Sequence, residues 1–507
     1  MKKIIALQLA LILIFSTALT CKEEINTGAK HDWIVSVDPS KTKDQNEFDV
    51  IVVGSGIGGL SCASILAKKG YKVLVVEQHS QVGGFCSSYM QDGFSCSVGV
   101  EDVSGINEMG GIGILLKMLD LKAEDLFVLN TRTYLIGNKK IILTGGKDDF
   151  IQQVSKHYPQ EKQSLKSFLD EGQKAYEEYS TSKERTSITC PTFFKWHSVT
   201  YQQKLDEFFE NSELKNLFCS LLPYIDSKAD KIPASIALCG CVQYFIYGGY
   251  YPKGGPQHFS ETLRDVIEQH GGIVLTDCKV KEILVNNDQV SGISTGNRTF
   301  FAPVVVANAN AKTTFSGLVP EGAIDENFVD AVKNLKMSFS IIQVTLGVDM
   351  DLSHLTSMVH MLDKNNKCSF VIPSNSDTIA APNGKATINL YVKSKYEEIP
   401  QPGTIEYKNY KEEKVQEKIN KIKKIIPELS KHIVVKEILT PRSFKQFTSM
   451  PKGAIYTFSQ SIGRQNRPHF KTPLKGLYLA SSSTGFGGGV EAVAFAGLKC
   501  ARDILKN

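Results

Sequence analysis

Short all-apolar runs, helices with one apolar face and clusters of glycine alternate along this chain. Phe48 to Val53 is an apolar run, Gly58 to Lys69 carries small and apolar residues at helical spacing, and Lys72 to Val76 is again apolar and β-branched. These predict strand, turn, helix and strand, one βαβ unit. Gly93 to Gly99 reads as a hairpin, Gly110 to Leu121 as a buried core helix or a membrane-dipping one, and residues 147–235 as helices rich in charge and aromatics. Tyr247 to Phe259 is dense in glycine and tyrosine, and precedes an amphipathic helix to His270 with Phe259, Leu263, Val266 and Ile267 on one face. A strand at Ile273–Thr276, a hairpin of Val280–Val285 and Val290–Ser294, and a buried parallel-type strand at Val304–Asn308 follow. Strands are predicted near 338–348 and 386–393. A lysine-rich helix over about 406–426 has the buried stripe Val415, Ile419, Ile422 and Ile426, and the chain closes with a strand at Leu477–Ala480, a glycine turn and a helix over Val490–Leu505.

A chain of 507 residues suits two or three domains. Its net charge of +5 is too slight to imply nucleic acid. The eleven cysteines are scattered without C-x-x-C spacing, which predicts neither a metal site nor a disulfide framework. Residues 1–21 read as a leader, with basic Lys2 and Lys3, an apolar Ile4–Phe15 and a small-residue end. The leader is a signal peptide, an uncleaved anchor or, through Cys21, a lipidation site. Any of these directs the chain to the secretory pathway, the endoplasmic reticulum or a bacterial envelope. Residues 22–46 form a polar linker.

The first unit carries chemistry at its joint. Gly54-x-Gly56-x-x-Gly59 lies where strand becomes helix, so that Gly54 permits the tight turn, Gly56 lets a pyrophosphate approach and Gly59 lets the helix pack on the strand. The phosphates sit on the helix N-terminus, and Glu77 at the end of the second strand accepts from a ribose. A bare structural turn is the plain alternative. The doublet Gly83-Gly84 provides a second point of close backbone approach, in the pattern of FAD proteins. Gly485, Gly487, Gly488 and Gly489 feed a second helix N-terminus, with Ser482 placed to hydrogen-bond a flavin; the alternative is a plain final helix on the sheet.

Five stretches together resemble the phytoene desaturase, carotenoid isomerase and retinol saturase superfamily: the glycine fingerprint with Glu77 and Gly83-Gly84, YYPKGG at 250–255, VKEILV at 280–285, TPRSFKQFTSMPKGAIY at 440–456 and GLYLASSSTGFGGGVEAVAFAG at 476–497. They span the chain from about residue 46 to its end. The resemblance implies an α/β fold: a Rossmann-like FAD-binding domain of glutathione-reductase type, with an interleaved α+β substrate domain. The FAD-binding domain is expected over 47–110, 240–310 and 470–507, and the substrate domain over 111–239 and 311–469. The implied FAD-binding set is Gly54, Gly56, Ile57, Gly58, Gly59, Glu77, Gln78, Gly83, Gly84, Val280, Ser482, Gly489 and Val490. Three positions depart from the pattern. Ser481 stands where the family usually has glycine, Ser482 where carotenoid isomerases have an acid, and Phe486 in place of a common proline.

By the same resemblance the substrate is a polyene or isoprenoid lipid, which is desaturated, saturated or isomerised. A conjugated hydrocarbon needs a long apolar tunnel and no obligatory acid or base. Tyr250, Tyr251 and Lys253, set among glycines, are the candidates for a loop near the flavin, a packed aromatic turn being the alternative. Only one nucleotide fingerprint is present, so NAD(P)H would visit the flavin transiently as electron donor or not at all. Contact with a membrane surface is expected of a protein with such a substrate. The competing readings are an amine-oxidase-like flavoprotein and a lipid-binding protein that keeps the fold without the chemistry.

Overall fold

The computed structural model describes residues 45–506 apart from 183, 226, 364–366 and 460–466. The leader, Cys21 and nearly all of the linker lie outside the described residues. Val50–Val53 and Val73–Val76 are buried at every position, as all-apolar strands covered on both faces must be. They belong to a five-stranded parallel sheet ordered 477–479, 304–307, 50–53, 73–76 and 273–275. Chain order reverses at Val50–Val53, flanked on one side by 73–76, the next strand of the sheet in sequence, and on the other by 304–307, which arrives much later in the chain. The crevice at the carboxyl ends of such a pair is where α/β sheets bind nucleotides.

The helix Ile57–Lys68 is buried from Ile57 to Ala67 because it lies between the sheet and two further helices, Gly255–Gln269 and Val490–Ile504. Small residues allow the closest crossing. A side chain on Gly58 would meet the Ala480 carbonyl oxygen at 2.2 Å, and one on Gly497 would meet the Gly58 carbonyl at 2.3 Å. The helix Gly111–Leu119 buries Ile112, Leu115, Leu116 and Leu119 in this same core, although its position in the chain suggests the substrate domain.

The second unit is a seven-stranded mixed sheet ordered 433–439, 340–348, 386–394, 368–371, 358–361, 132–136 and 139–143. Its last two strands come from the first third of the chain, which makes the unit interleaved. Helices over 147–241 cover one end around a cluster of Phe150, Phe168, Trp196, Phe209, Phe218 and Phe245. The lysine-rich helix runs Ile405–Ile422 and buries Val415, Ile419 and Ile422 as its stripe requires. The hairpin Ser88–Gln91 and Phe94–Ser97 joins the two units. Phe94 lies so close over Gly347 that a β-carbon there would meet its ring at 2.7 Å. No helix among the described residues is long and apolar enough to cross a membrane.

Adding one methyl at the helix crossing tests its tightness. Gly497→Ala is expected to destabilise the protein by about 1–3 kcal/mol, since backbone blocks the new atom. A urea midpoint equal to that of the wild type would show that the helices can part without cost.

Candidate functional site

A cavity of about 2510 Å³ runs from the crevice of the parallel sheet to the seven-stranded sheet. Pockets for one small ligand occupy about 300–1,000 Å³, so this space accommodates a cofactor and a second molecule. At the cofactor end Gly54, Gly56, Ile57, Gly58, Glu77, Gln78, Gly83, Gly84 and Val280 line it, and Ser482, Gly489 and Val490 line it from the other side. Gly59 does not. Its missing side chain makes room for the Gly54 carbonyl, 2.4 Å from where a β-carbon would sit, so its role is packing.

Both helix ends are free for anions. Gly56 caps Ile57–Lys68 and Gly489 caps Val490–Ile504, each without a side-chain hydrogen bond, leaving the first N–H groups to a ligand. Gly489 takes φ 102° and a β-carbon on it would touch nothing within 4 Å, so bare backbone borders open space. Glu77 is held by the Ser55 N–H (2.9 Å) and hydroxyl (2.7 Å) on one oxygen and by the His79 N–H (3.0 Å) on the other. These donors keep the carboxylate aimed at the crevice. The set suits the two phosphates and ribose of FAD.

Asn308, at the end of strand 304–307, is the residue that the sequence reading missed here. Its Oδ1 accepts from the Gly56 N–H at 2.8 Å and its Nδ2 donates to the Ala480 carbonyl at 2.6 Å. One side chain thereby joins three segments remote in sequence. A polar residue ending a wholly apolar strand was the available signal. Gln78 donates to the Ser449 hydroxyl at 2.8 Å, and Ser482 bonds Thr457 through its hydroxyl while its carbonyl accepts from Arg467.

Tyr250, Tyr251 and Lys253 are corrected by the structure: none lines the cavity. Tyr250–Pro252 is a strand paired with Phe127–Leu129, which turns Tyr251 into the core. The Tyr250 hydroxyl donates to the Tyr247 carbonyl and Lys253 Nζ to the Glu124 carbonyl, so their polar ends serve the local turn.

The polar groups on the substrate side come instead from the loop after the hairpin and from the sheet. Asp102 receives both bonds of a buried pair from Arg132 Nη2, at 2.8 and 2.9 Å, with each side chain 3 % exposed. Burial works against the Arg132 charge, and Asp102 outweighs it and holds the guanidinium protonated. Its neighbour Glu101 is pushed up to about 7 by burial, against the pull of its hydrogen-bonding neighbours. Glu491 is raised, again by burial, and both its oxygens are engaged, by Ser104, the Gly111 N–H and Gln243. His360, stacked on Tyr134, is lowered to about 3 by burial and by Arg132, and is neutral. The adjacent acids at 101 and 102, within an otherwise apolar stretch, were legible in the sequence as an anomaly and were not singled out.

A glycine turn at the switch point of a parallel sheet, an acid closing the second strand and a second open helix end across the crevice define an FAD-binding oxidoreductase fold. Residues 57–505 match the flavin-containing amine oxidoreductase family, and the chain belongs to it. It is 27% identical to a chloroplastic prolycopene isomerase of Daucus carota over 93% of this chain and 83% of that protein. It is 22% identical to the all-trans-retinol 13,14-reductase of Homo sapiens over 91% of this chain and 86% of that one. Among solved structures, an oxidoreductase from Methanosarcina mazei superposes with a TM-score of 0.65 at 19% identity, covering 90% of this chain and 100% of that one. Putrescine oxidase superposes with a TM-score of 0.61 at 15% identity, covering 91% and 99%.

Two substitutions test this site. Asn308→Ala removes two bonds from the cofactor end and is expected to weaken FAD retention roughly ten- to a hundredfold, from about 1–3 kcal/mol, measured as free flavin after gel filtration of folded protein. Arg132→Met leaves Asp102 buried and uncompensated, and is expected to cost about 3–5 kcal/mol in chemical denaturation, part of which Asp102→Asn restores in the double variant.

Proposed function

We propose that the substrate of this FAD-dependent oxidoreductase is a polyene or isoprenoid lipid, desaturated, saturated or isomerised beside the flavin. The observation that carries this reading is the cavity. Beyond the cofactor end it continues between apolar side chains that include Leu221, Leu222, Ile236, Phe339, Ile341 and Val371. The carboxyls on that side are committed or neutral: Asp102 to Arg132, Glu491 to three donors, and Glu101 protonated below about pH 7. Below about pH 7 a protonated amine would find no free carboxylate there among the described residues, and burying a lone cation without one is costly. The isomerase and reductase relatives support the same reading. FAD supplies the redox chemistry when bound, and the protein positions the chain and excludes water. A reduced nicotinamide is proposed as a transient donor.

Membrane contact is part of the proposal. Arg185, Lys499, Arg502 and Lys506 line the cavity and form no ion pair among the described residues. Lys499 is lowered by burial and by the other three. Ile188, on the turn after Arg185, is 89% exposed. Cations beside an exposed isoleucine suit an anionic lipid surface, to which the leader would bring the chain in the endoplasmic reticulum or a bacterial envelope.

FAD-loaded full-length protein, mixed anaerobically with cis and all-trans polyenes, is expected to change their double-bond geometry or number, or to change the flavin spectrum. Peroxide release from putrescine, with every polyene untouched, would overturn the proposal in favour of an amine oxidase. Unaltered but bound lipid, in protein that cannot take up FAD, would favour a carrier.

A further inference from the structure

The last helix, Val490–Ile504, runs along the cavity wall from the cofactor end to an exposed end. Val490 borders the cofactor end, and Phe495, Lys499, Arg502 and Lys506 follow at intervals of four, three and four residues, which sets them on one face. All of them line the cavity. A rise of about 1.5 Å per residue puts the Lys499 and Arg502 backbone about 14–18 Å along the axis from Val490. The wall between is apolar. Phe486, which stands in place of the family's common proline, meets Phe495 edge-on with ring centres 5.2 Å apart and lies 6.3 Å from Phe470, and all three rings line the cavity. Beyond them, Lys499 Nζ sits 5.1 Å from the centre of the Phe495 ring. Arg185 reaches the same place from the turn after the helix Lys162–Thr181. Its Nε donates to the Tyr179 carbonyl at 3.1 Å and its guanidinium lies 4.6 Å from the centre of the Tyr179 ring, which fixes the arm and leaves its terminal nitrogens unbonded among the described residues. Lys499 is lowered by burial and then by the charges of Arg185, Arg502 and Lys506, so the four cations lie together. The nearby acids are committed elsewhere: Asp503 to Lys471 at 2.7 Å and to the Tyr478 hydroxyl at 3.0 Å, and Glu491 to its three donors. Cations complement a helix C-terminus. That does not account for Arg185, which comes from another segment, or for a half-buried Lys499 among like charges.

We propose that Arg185, Lys499 and Arg502, with Lys506 beside them, anchor the anionic end of the lipid substrate, a carboxylate or phosphate, while its hydrocarbon passes the three phenylalanines to the cofactor end. This rests on the polyene reading of the same cavity. An anion here gains charge-assisted hydrogen bonds from Arg185 and Arg502, whose guanidinium forks match the edge of a carboxylate or phosphate. It also relieves Lys499 of its like-charged neighbours. A chain neutral at both ends offers these cations nothing. The helix then acts as a ruler. With the head held at Lys499 and Arg502, the part of the chain presented at the cofactor end lies a fixed distance from the head, whatever length remains beyond it. An anionic membrane lipid brings the same chemistry from outside, so the test separates the two sources.

The probes are one all-trans polyene chain ending in a carboxylate, a phosphate, a hydroxyl or a methyl group, titrated into FAD-loaded full-length protein in uncharged detergent and followed by polyene absorbance. The carboxylate and phosphate are expected to bind about 10–100-fold more tightly than the alcohol, with a preference that shrinks as salt is raised. Lys499→Gln combined with Arg502→Gln should bring the ratio of acid to alcohol affinity close to one, and Arg185→Gln should lower it from the other segment; the flavin spectrum and melting temperature check that each variant is folded. Product analysis supplies a readout independent of affinity. When the chain is lengthened at its far end, the altered double bond should keep its distance from the acid. Equal affinity for acid and alcohol, a preference that survives the folded cation variants, or an altered bond whose position is set from the far end overturns the anchor. Variants that lose binding to phosphatidylglycerol vesicles yet keep the acid preference assign the cations to the membrane alone and overturn it as well. Turnover of the neutral chains with no preference for the acids removes the anchor and leaves the polyene reading standing, whereas protein that neither binds nor alters any of the four removes both.

Discussion

The structure depends on closing one crevice from segments that lie far apart in the chain, and Asn308 makes the closure. Its amide accepts from the N–H of Gly56 and donates to the carbonyl of Ala480, so the first glycine turn and the approach to the last helix are held by one rigid group. Gly56 must lack a side chain for this, since a β-carbon would meet Asn308 Oδ1 at 2.6 Å. The glycine usually credited to pyrophosphate approach is thus required by the protein even without ligand. Gly58 and Gly497 extend the same constraint to the helices behind, where only bare backbone fits.

From this crevice the site is built outward by burial. The Asp102–Arg132 pair spans the cofactor-side loop and the first strand of the substrate sheet, and Asn130 adds bonds to Asp102 and to the Glu101 carbonyl. A pair buried on both sides is a poor source of net stability, because desolvation offsets most of the attraction. What it provides is register: with Asp102 anchored, the next side chain along the loop is directed to the Asn389 and Ser97 side of the cavity. The same low dielectric raises Glu101, to about 7, and Glu491, and leaves His360 uncharged.

The places where sequence reasoning succeeded and failed differ in range. Val50–Val53, the glycine turn, Ile57–Lys68 and Glu77 lie within one βαβ unit, and local spacing fixes their geometry whatever the rest of the chain does. The stripe of Val415, Ile419 and Ile422 was readable for the same reason. Tyr250, Tyr251 and Lys253 misled because glycine density marks a close backbone approach without saying to what. Pairing with Phe127–Leu129 turned Tyr251 into the core, and Gly248 and Gly249 accommodate Leu129, Arg132 and Asp102 rather than a ligand.

By itself, then, the sequence determined the nucleotide-binding unit and the alternation of elements, since these follow from periodicities of two and 3.6 residues and from glycine at strand ends, while its five motif stretches carried the family resemblance. Tertiary structure alone decided the polar side of the cavity. Glu101 and Asp102 are adjacent and chemically alike, yet one is paired with Arg132 and the other, among uncharged partners, is pushed up to about 7 by burial. The difference lies in residues 132, 389 and 391, brought to them by a sheet that the chain enters twice.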